Sequence, residues 1–138
     1  MDCIFCKIVK GEIDSAKIWE DDDILVFLDI NPVTKGHCLV VSKKHFENIF
    51  DIDEEILKKI IIVSKSVSLK IKNSLGADGI RFSQSNGKIA GQVIFHFHLH
   101  IIPRYQDDGL LMNNWGNESP PKANIEDLKS LAEKINSV

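Results

Sequence analysis

Phe95-His96-Phe97-His98-Leu99-His100-Ile101-Ile102 is the stretch that decides how this chain is read. Side chains of a β-strand point alternately to its two faces, so a strand here places His96, His98 and His100 on one side. Phe95, Phe97, Leu99 and Ile101 take the other side and are expected to pack into a core. A helix would scatter the three imidazoles around its circumference, and the aromatic and β-branched content also favours a strand. Imidazole titrates near neutrality and serves as nucleophile, proton carrier or metal ligand. Packing alone does not call for three of them on one strand face.

Outward from this stretch, residues 93–102 pair with a strand at 80–84 across a glycine-rich turn at 86–91. Upstream, 18–20 reads as a short strand, the three aspartates at 21–23 as a turn, and 24–30 as a buried strand ended by Asn31-Pro32. Residues 37–42 form another apolar strand. A long amphipathic helix is expected over 53–75, where Ile56, Ile60, Val63, Val67 and Ile71 recur on one face and Gly76 supplies the stop. The segment 107–122 is polar, with Gly109, Gly116, Pro120 and Pro121, and reads as a loop. Asn124 then caps a short last helix carrying Ile125, Leu128, Leu131 and Ile135. Together these elements predict an α+β domain with a mostly antiparallel sheet, one long helix and a short C-terminal helix. The domain core is expected over 1–106, with 107–138 as a C-terminal loop and helix packing on or near it.

The chain has 138 residues, 43% of them hydrophobic, enough for one domain with a real core. A formal charge of −3 gives no global basic footprint, so nucleic acid is not an expected partner. No apolar run reaches membrane-spanning length and the first residues lack a signal-peptide core, so a cytoplasmic location with no membrane association is expected. In that compartment Cys3, Cys6 and Cys38 read as thiols or metal ligands rather than a disulfide framework. Cys3 and Cys6 have the spacing of a zinc knuckle, and His45 and His96 are natural candidates to complete four ligands. Two packed free thiols and a helix-starting His45 are the plainer reading of the same residues.

His96-Phe-His98-Leu-His100-Ile-Ile resembles the signature of the histidine triad family of nucleotide hydrolases and transferases. Cys3-Ile-Phe-Cys6-Lys-Ile, Phe27-Leu-Asp29-Ile-Asn-Pro, Gly36-His37-Cys-Leu-Val-Val, Gly91-Gln92 and Pro103-Arg104 match it in order. The overall likeness is to prokaryotic members near the nucleotide-binding Hint branch. This resemblance implies a HIT-like fold and chemistry at the α-phosphate of a purine nucleoside phosphoramidate or related nucleotidyl compound. It makes His98 the nucleophile of a covalent nucleotidyl-histidine intermediate. His100 is placed to bond a phosphate oxygen or to help protonate the leaving group, and His37 matches a position beside the nucleophile. His96, the first triad member, counts with these catalytic residues and would also join Cys3, Cys6 and His45 in a structural zinc site, as in some prokaryotic relatives. No organic cofactor is implied.

The resemblance also maps a purine pocket onto Ile4, Phe5, Ile8, Ile13 and Phe27, with Asp29 accepting the ribose hydroxyls. A carboxylate before Asn-Pro also suits a plain turn cap. Ser85, Asn86, Gly91 and Gln92 are the expected phosphate-side residues, with glycine N–H groups open to an anion. Two departures weaken that set: Val93 stands where relatives often carry Ser or Thr, and Ser85 where they often carry Asn. Family members usually form homodimers, and the implied partners are therefore a purine nucleotide and a second copy. The segment carrying Trp115 is expected to reach across to a partner's active site and tune leaving-group choice. Three alternatives remain at this stage. They are hydrolysis of dinucleoside polyphosphates on the same scaffold, a nucleotide-binding module with little catalysis, and a three-histidine zinc centre at His96, His98 and His100.

Overall fold

The computed structural model describes residues 2–110 and 120–137. The sheet has five strands: β1 (Lys17–Glu20), β2 (Ile24–Leu28), β3 (Cys38–Ser42), β4 (Gly79–Ser83) and β5 (His98–Arg104). Their spatial order is β1-β2-β3-β5-β4, and every neighbouring pair is antiparallel. Three helices complete the chain: α1 (Ile4–Val9), α2 (Glu54–Leu75) and α3 (Ile125–Asn136). The α+β architecture read from the sequence is the one observed.

Both faces of the sheet are covered, which is why β2 and β3 are apolar without alternation. On one face lie α2 and α3. Ile60, Val67 and Ile71 of α2 and Ile135 of α3 pack with Ile24, Val26, Val40, Leu99 and Ile101. Asp53 begins α2 by accepting the Glu55 N–H, and Gly76 ends it with a positive φ of 70°. On the opposite face Phe5 and Ile8 of α1 pack on Leu25, Phe27, Leu39 and Val41. The histidine side chains belong to this second face, with the Phe5 ring against those of both His96 and His98.

Three expectations need correction. The last strand starts at His98 rather than at 93. Its partner β3 ends at Ser42, opposite Phe97 in this register, so residues 93–96 run past it; the Phe97 N–H donates instead to the Phe46 carbonyl at 2.7 Å. Phe97 still joins the helix-side core, but Phe95 is 42% exposed and is not a core residue. Finally, α1 is a helix where the sequence predicts no element. Trp115 lies outside the described residues, and no helix among the described residues is long and apolar enough to cross a membrane.

Candidate functional site

The three triad histidines emerge side by side and are then given different partners. His98 lies half-buried beneath Phe5, with its Nδ1 2.7 Å from the His96 carbonyl oxygen. A carbonyl can only accept, so Nδ1 carries the proton and the neutral ring keeps a free electron pair at Nε2. Burial lowers the His98 pKa and so favours that neutral form.

His100 is governed by His37, the residue just before β3. The Val33 N–H donates to His37 Nδ1 at 3.0 Å. Neutral His37 therefore holds its proton on Nε2, which lies 2.9 Å from His100 Nδ1. That bond in turn leaves the His100 proton on Nε2. Burial pushes both rings down to about 4, and for His100 the neighbouring His37 and His98 add to it. Asp29 Oδ2 stands 3.5 Å from His37 Nε2, while Oδ1 accepts the Asn31 N–H at 2.8 Å. The turn-cap geometry at Asp29 is thus present, and burial raises its carboxyl pKa.

Beside these rings opens a cavity of about 360 Å³ whose lining includes Ile4, Phe5, Ile8, Ile13, Phe27 and Asp29 together with His98 and His100. Every side chain expected at the nucleoside is brought to one place. Its dimensions suit a small organic ligand. The lining also takes in Asp14, Ile94, Lys122 and Ile125, none of which the sequence suggests. Lys122 and Ile125 arrive because the C-terminal segment is tied down next to Asp29. Asn31 Nδ2 donates to the Pro120 carbonyl at 3.0 Å, and the Ala123 N–H to the Ile30 carbonyl at 2.7 Å. Contacts that distant in sequence leave no local signal.

The residues expected at the phosphate are not in this lining. The N–H groups of Gly91 and Gln92 donate within their own turn, to the Lys88 and Gly87 carbonyls. Gln92 is buried. Its Nε2 donates to the carbonyls of Glu47 and Ile94, and its Oε1 accepts from Asn48 Nδ2 and the Gly87 N–H. Asn86 Oδ1 accepts the Ile49 N–H. Gly91 lies close to Ser85, whose Oγ would be 3.8 Å from a Cβ at that glycine. These side chains hold the turn together.

His96 faces away from the cavity, into a second cluster. Its Nε2 donates to the Ser42 carbonyl at 2.7 Å, so Nδ1 presents a lone pair. That atom lies 3.4 Å from Cys3 Sγ, 3.5 Å from Cys6 Sγ and 3.2 Å from His45 Nδ1. Cys6 Sγ is 3.4 Å from His45 Nδ1. A tetrahedral zinc with bonds of about 2.3 Å to sulfur and about 2.05 Å to nitrogen requires N–N edges of about 3.3 Å and N–S edges of about 3.5 Å. The residues fit the ion closely. Burial, with Cys3 beside it, raises the Cys6 thiol, so binding would release protons. The three triad rings do not converge in this way: Nδ1 of His98 and of His100 are each engaged elsewhere, and His98 belongs to no potential metal-binding group among the described residues.

The HIT domain family model matches residues 10–107, and the chain belongs to the HIT, or histidine triad, family. An uncharacterised HIT-like protein of Methanocaldococcus jannaschii is 49% identical over 108 residues, 78% of this chain and 82% of the relative. An adenosine 5'-monophosphoramidase of Schizosaccharomyces pombe is 39% identical over 137 residues, 99% of this chain and 98% of that enzyme. A zinc-bound histidine triad family protein from Mycobacterium smegmatis superimposes with a TM-score of 0.85 at 31% identity, covering 99% of this chain and 92% of that one.

Proposed function

We propose that the protein is a nucleotide hydrolase that cleaves purine nucleoside phosphoramidates, or related nucleotidyl compounds, at the α-phosphorus. The observation that carries this reading is the His98 Nδ1 contact with the His96 carbonyl, which fixes a bare Nε2 at the cavity. The nucleoside lies between the apolar side chains of α1 and Phe27, with its ribose hydroxyls on Asp29. His98 Nε2 attacks phosphorus, the bond to the leaving nitrogen breaks, and that nitrogen takes a proton from His100. Water then attacks the nucleotidyl-histidine, the P–N bond to His98 breaks, and the water's proton passes to His100 as nucleoside monophosphate leaves. The negative phosphate favours the protonated form of His100, which burial alone opposes in the free protein; His100 Nδ1 then donates, so His37 takes the other tautomer and gives up the Val33 N–H. His37 orients that ring.

The likeness to a monophosphoramidase over nearly the full chain supports this choice of leaving group over a dinucleoside polyphosphate. The test is release of adenosine monophosphate from an adenosine phosphoramidate. Wild type should turn over, and His98→Ala should lose at least ~10³-fold in rate while still binding the product. Equal rates would remove His98 as nucleophile. Binding without turnover by wild type would instead favour a nucleotide-binding module.

The same reading includes a structural zinc held by Cys3, Cys6, His45 and His96, supported by the tetrahedral edge lengths of the cluster. The ion supplies cross-linking there and stays apart from the reacting phosphate. It also includes a homodimer. Ile61 and Leu69 of α2 and Phe82 of the edge strand β4 are each 41–52% exposed and line one apolar groove. The Ser68 hydroxyl buried there has no partner among the described residues. A second copy covers this face, and Leu69→Glu should convert a dimer to a monomer in sedimentation analysis; a monomeric wild type would refute the assignment.

A further inference from the structure

The cysteine–histidine cluster and the nucleoside cavity share two structural parts. The first is α1. Cys3 and Cys6 sit at its N-terminal end and point into the cluster, while Ile4, Phe5 and Ile8, interleaved with them, line the cavity. A six-residue helix has little stability of its own, and Cys3 Sγ itself accepts the Cys6 N–H at the start of that helix. What anchors α1 is therefore the packing of Phe5 and Ile8 on one side and the four-ligand cluster on the other. The second shared part is His96. Its side chain belongs to the cluster through Nδ1, and its main-chain carbonyl receives the His98 Nδ1 proton. The residue that offers a ligand atom to the cluster thus also supplies, from its main chain, the acceptor that holds the His98 ring.

We propose that metal at Cys3, Cys6, His45 and His96 and nucleotide in the cavity bind cooperatively, with α1 and His96 as the coupling elements. Cys3, Cys6, His45 and His96 are positioning residues: none touches the substrate, and each acts through α1 or His98. Metal binding holds the α1 wall against the sheet, so the nucleotide meets a formed pocket rather than having to order it. Linkage makes the effect reciprocal: whatever factor zinc adds to nucleotide affinity, nucleotide adds to zinc affinity. This inference rests on the nucleotide-hydrolase reading and on the metal site, and goes beyond both in joining them.

Calorimetric titration with adenosine monophosphate provides the test, using the zinc-loaded protein and the same protein stripped by a chelator. Affinity is expected to fall about tenfold on stripping, within the ordinary range of coupling between sites. Chelator competition should then show zinc held about tenfold tighter when the nucleotide is saturating. A readout that keeps the metal in place covers the case in which stripping unfolds the chain. Cobalt(II) in the cluster should change its visible absorption saturably as adenosine monophosphate is added. Equal nucleotide affinity with and without zinc, or a cobalt spectrum indifferent to nucleotide, overturns the coupling and leaves both sites standing. Failure of the zinc-loaded protein to bind adenosine monophosphate overturns the nucleotide reading itself, and failure to retain zinc or cobalt overturns the metal site; the coupling falls with either.

Discussion

Two clusters of donor atoms grow from the same face of one sheet, and they are built on opposite principles. Around His96 the lone pairs of two nitrogens and two sulfurs converge on a single point, with edges of 3.2–3.5 Å. Around His98 nothing converges, and where Asp29, His37 and His100 come together the ring nitrogens are already engaged in hydrogen bonds. Donors and acceptors there form directed chains, Val33 to His37 to His100 and His98 to the His96 carbonyl. Convergence suits a cation, which a protein holds by surrounding it. Directed chains suit proton movement, because each bond fixes the tautomer of the next ring. Imidazoles two residues apart thus differ in which nitrogen is left bare: each donates one N–H to a main-chain carbonyl, and the remaining lone pair is on Nδ1, facing the sulfurs, at His96 and on Nε2 at His98.

The contrast can be broken most severely at the convergent cluster. Cys6→Ser should abolish stoichiometric zinc in elemental analysis and lower the melting temperature by about 10 °C, in line with losses of a few kcal/mol when a structural metal is removed. Unchanged melting would mean the cluster is no cross-link. His37→Leu attacks the directed chain instead. It should retain zinc and adenosine monophosphate affinity yet turn over roughly 10²-fold more slowly, an effect on kcat rather than KM. Should KM move instead, His37 would be part of the binding wall.

A third expected effect is the pH dependence of stability. His37 and His100 are held near 4 in the folded chain against about 6.5 when unfolded. Below pH 6.5 the unfolded chain binds more protons at these two rings, so their contribution, full above 6.5, is lost as pH falls toward 4. Asp29, whose carboxyl burial raises, works in the opposite sense, and His98, lowered as well, adds to the loss. Urea midpoints should decline across this window, and less steeply in His37→Leu. A midpoint indifferent to pH between 6.5 and 4 would contradict the assigned neutrality of the rings.

What the sequence reveals and what it hides follows from how local each feature is. The long helix is legible to its caps because Asp53, the apolar recurrence and Gly76 all lie within it. The face shared by the histidines is legible because alternation is a property of one strand. The true start of β5 is not: the alternation runs on to Phe95, and only the end of β3 at Ser42, more than fifty residues earlier, decides that pairing stops at His98. The helix α1 is hidden for a related reason. Six residues carry too little periodicity to register, and its order depends on side chains from 25 to 98. At the candidate site, the apolar set and Asp29 share one cavity with His98 and His100, whereas the glycine turn is not in the lining. Its composition is compatible with an open anion nest, yet Gln92 closes it from within.

That glutamine has a consequence for what the position can tolerate. Its amide uses two hydrogens and two acceptor directions at once, toward Glu47, Ile94, Asn48 and Gly87. Glutamate has the same outline but would set an oxygen against two carbonyls; methionine has the same reach but answers none of the four. Shape alone therefore cannot substitute at residue 92, and the junction of these three loop segments hangs on the identity of a single atom.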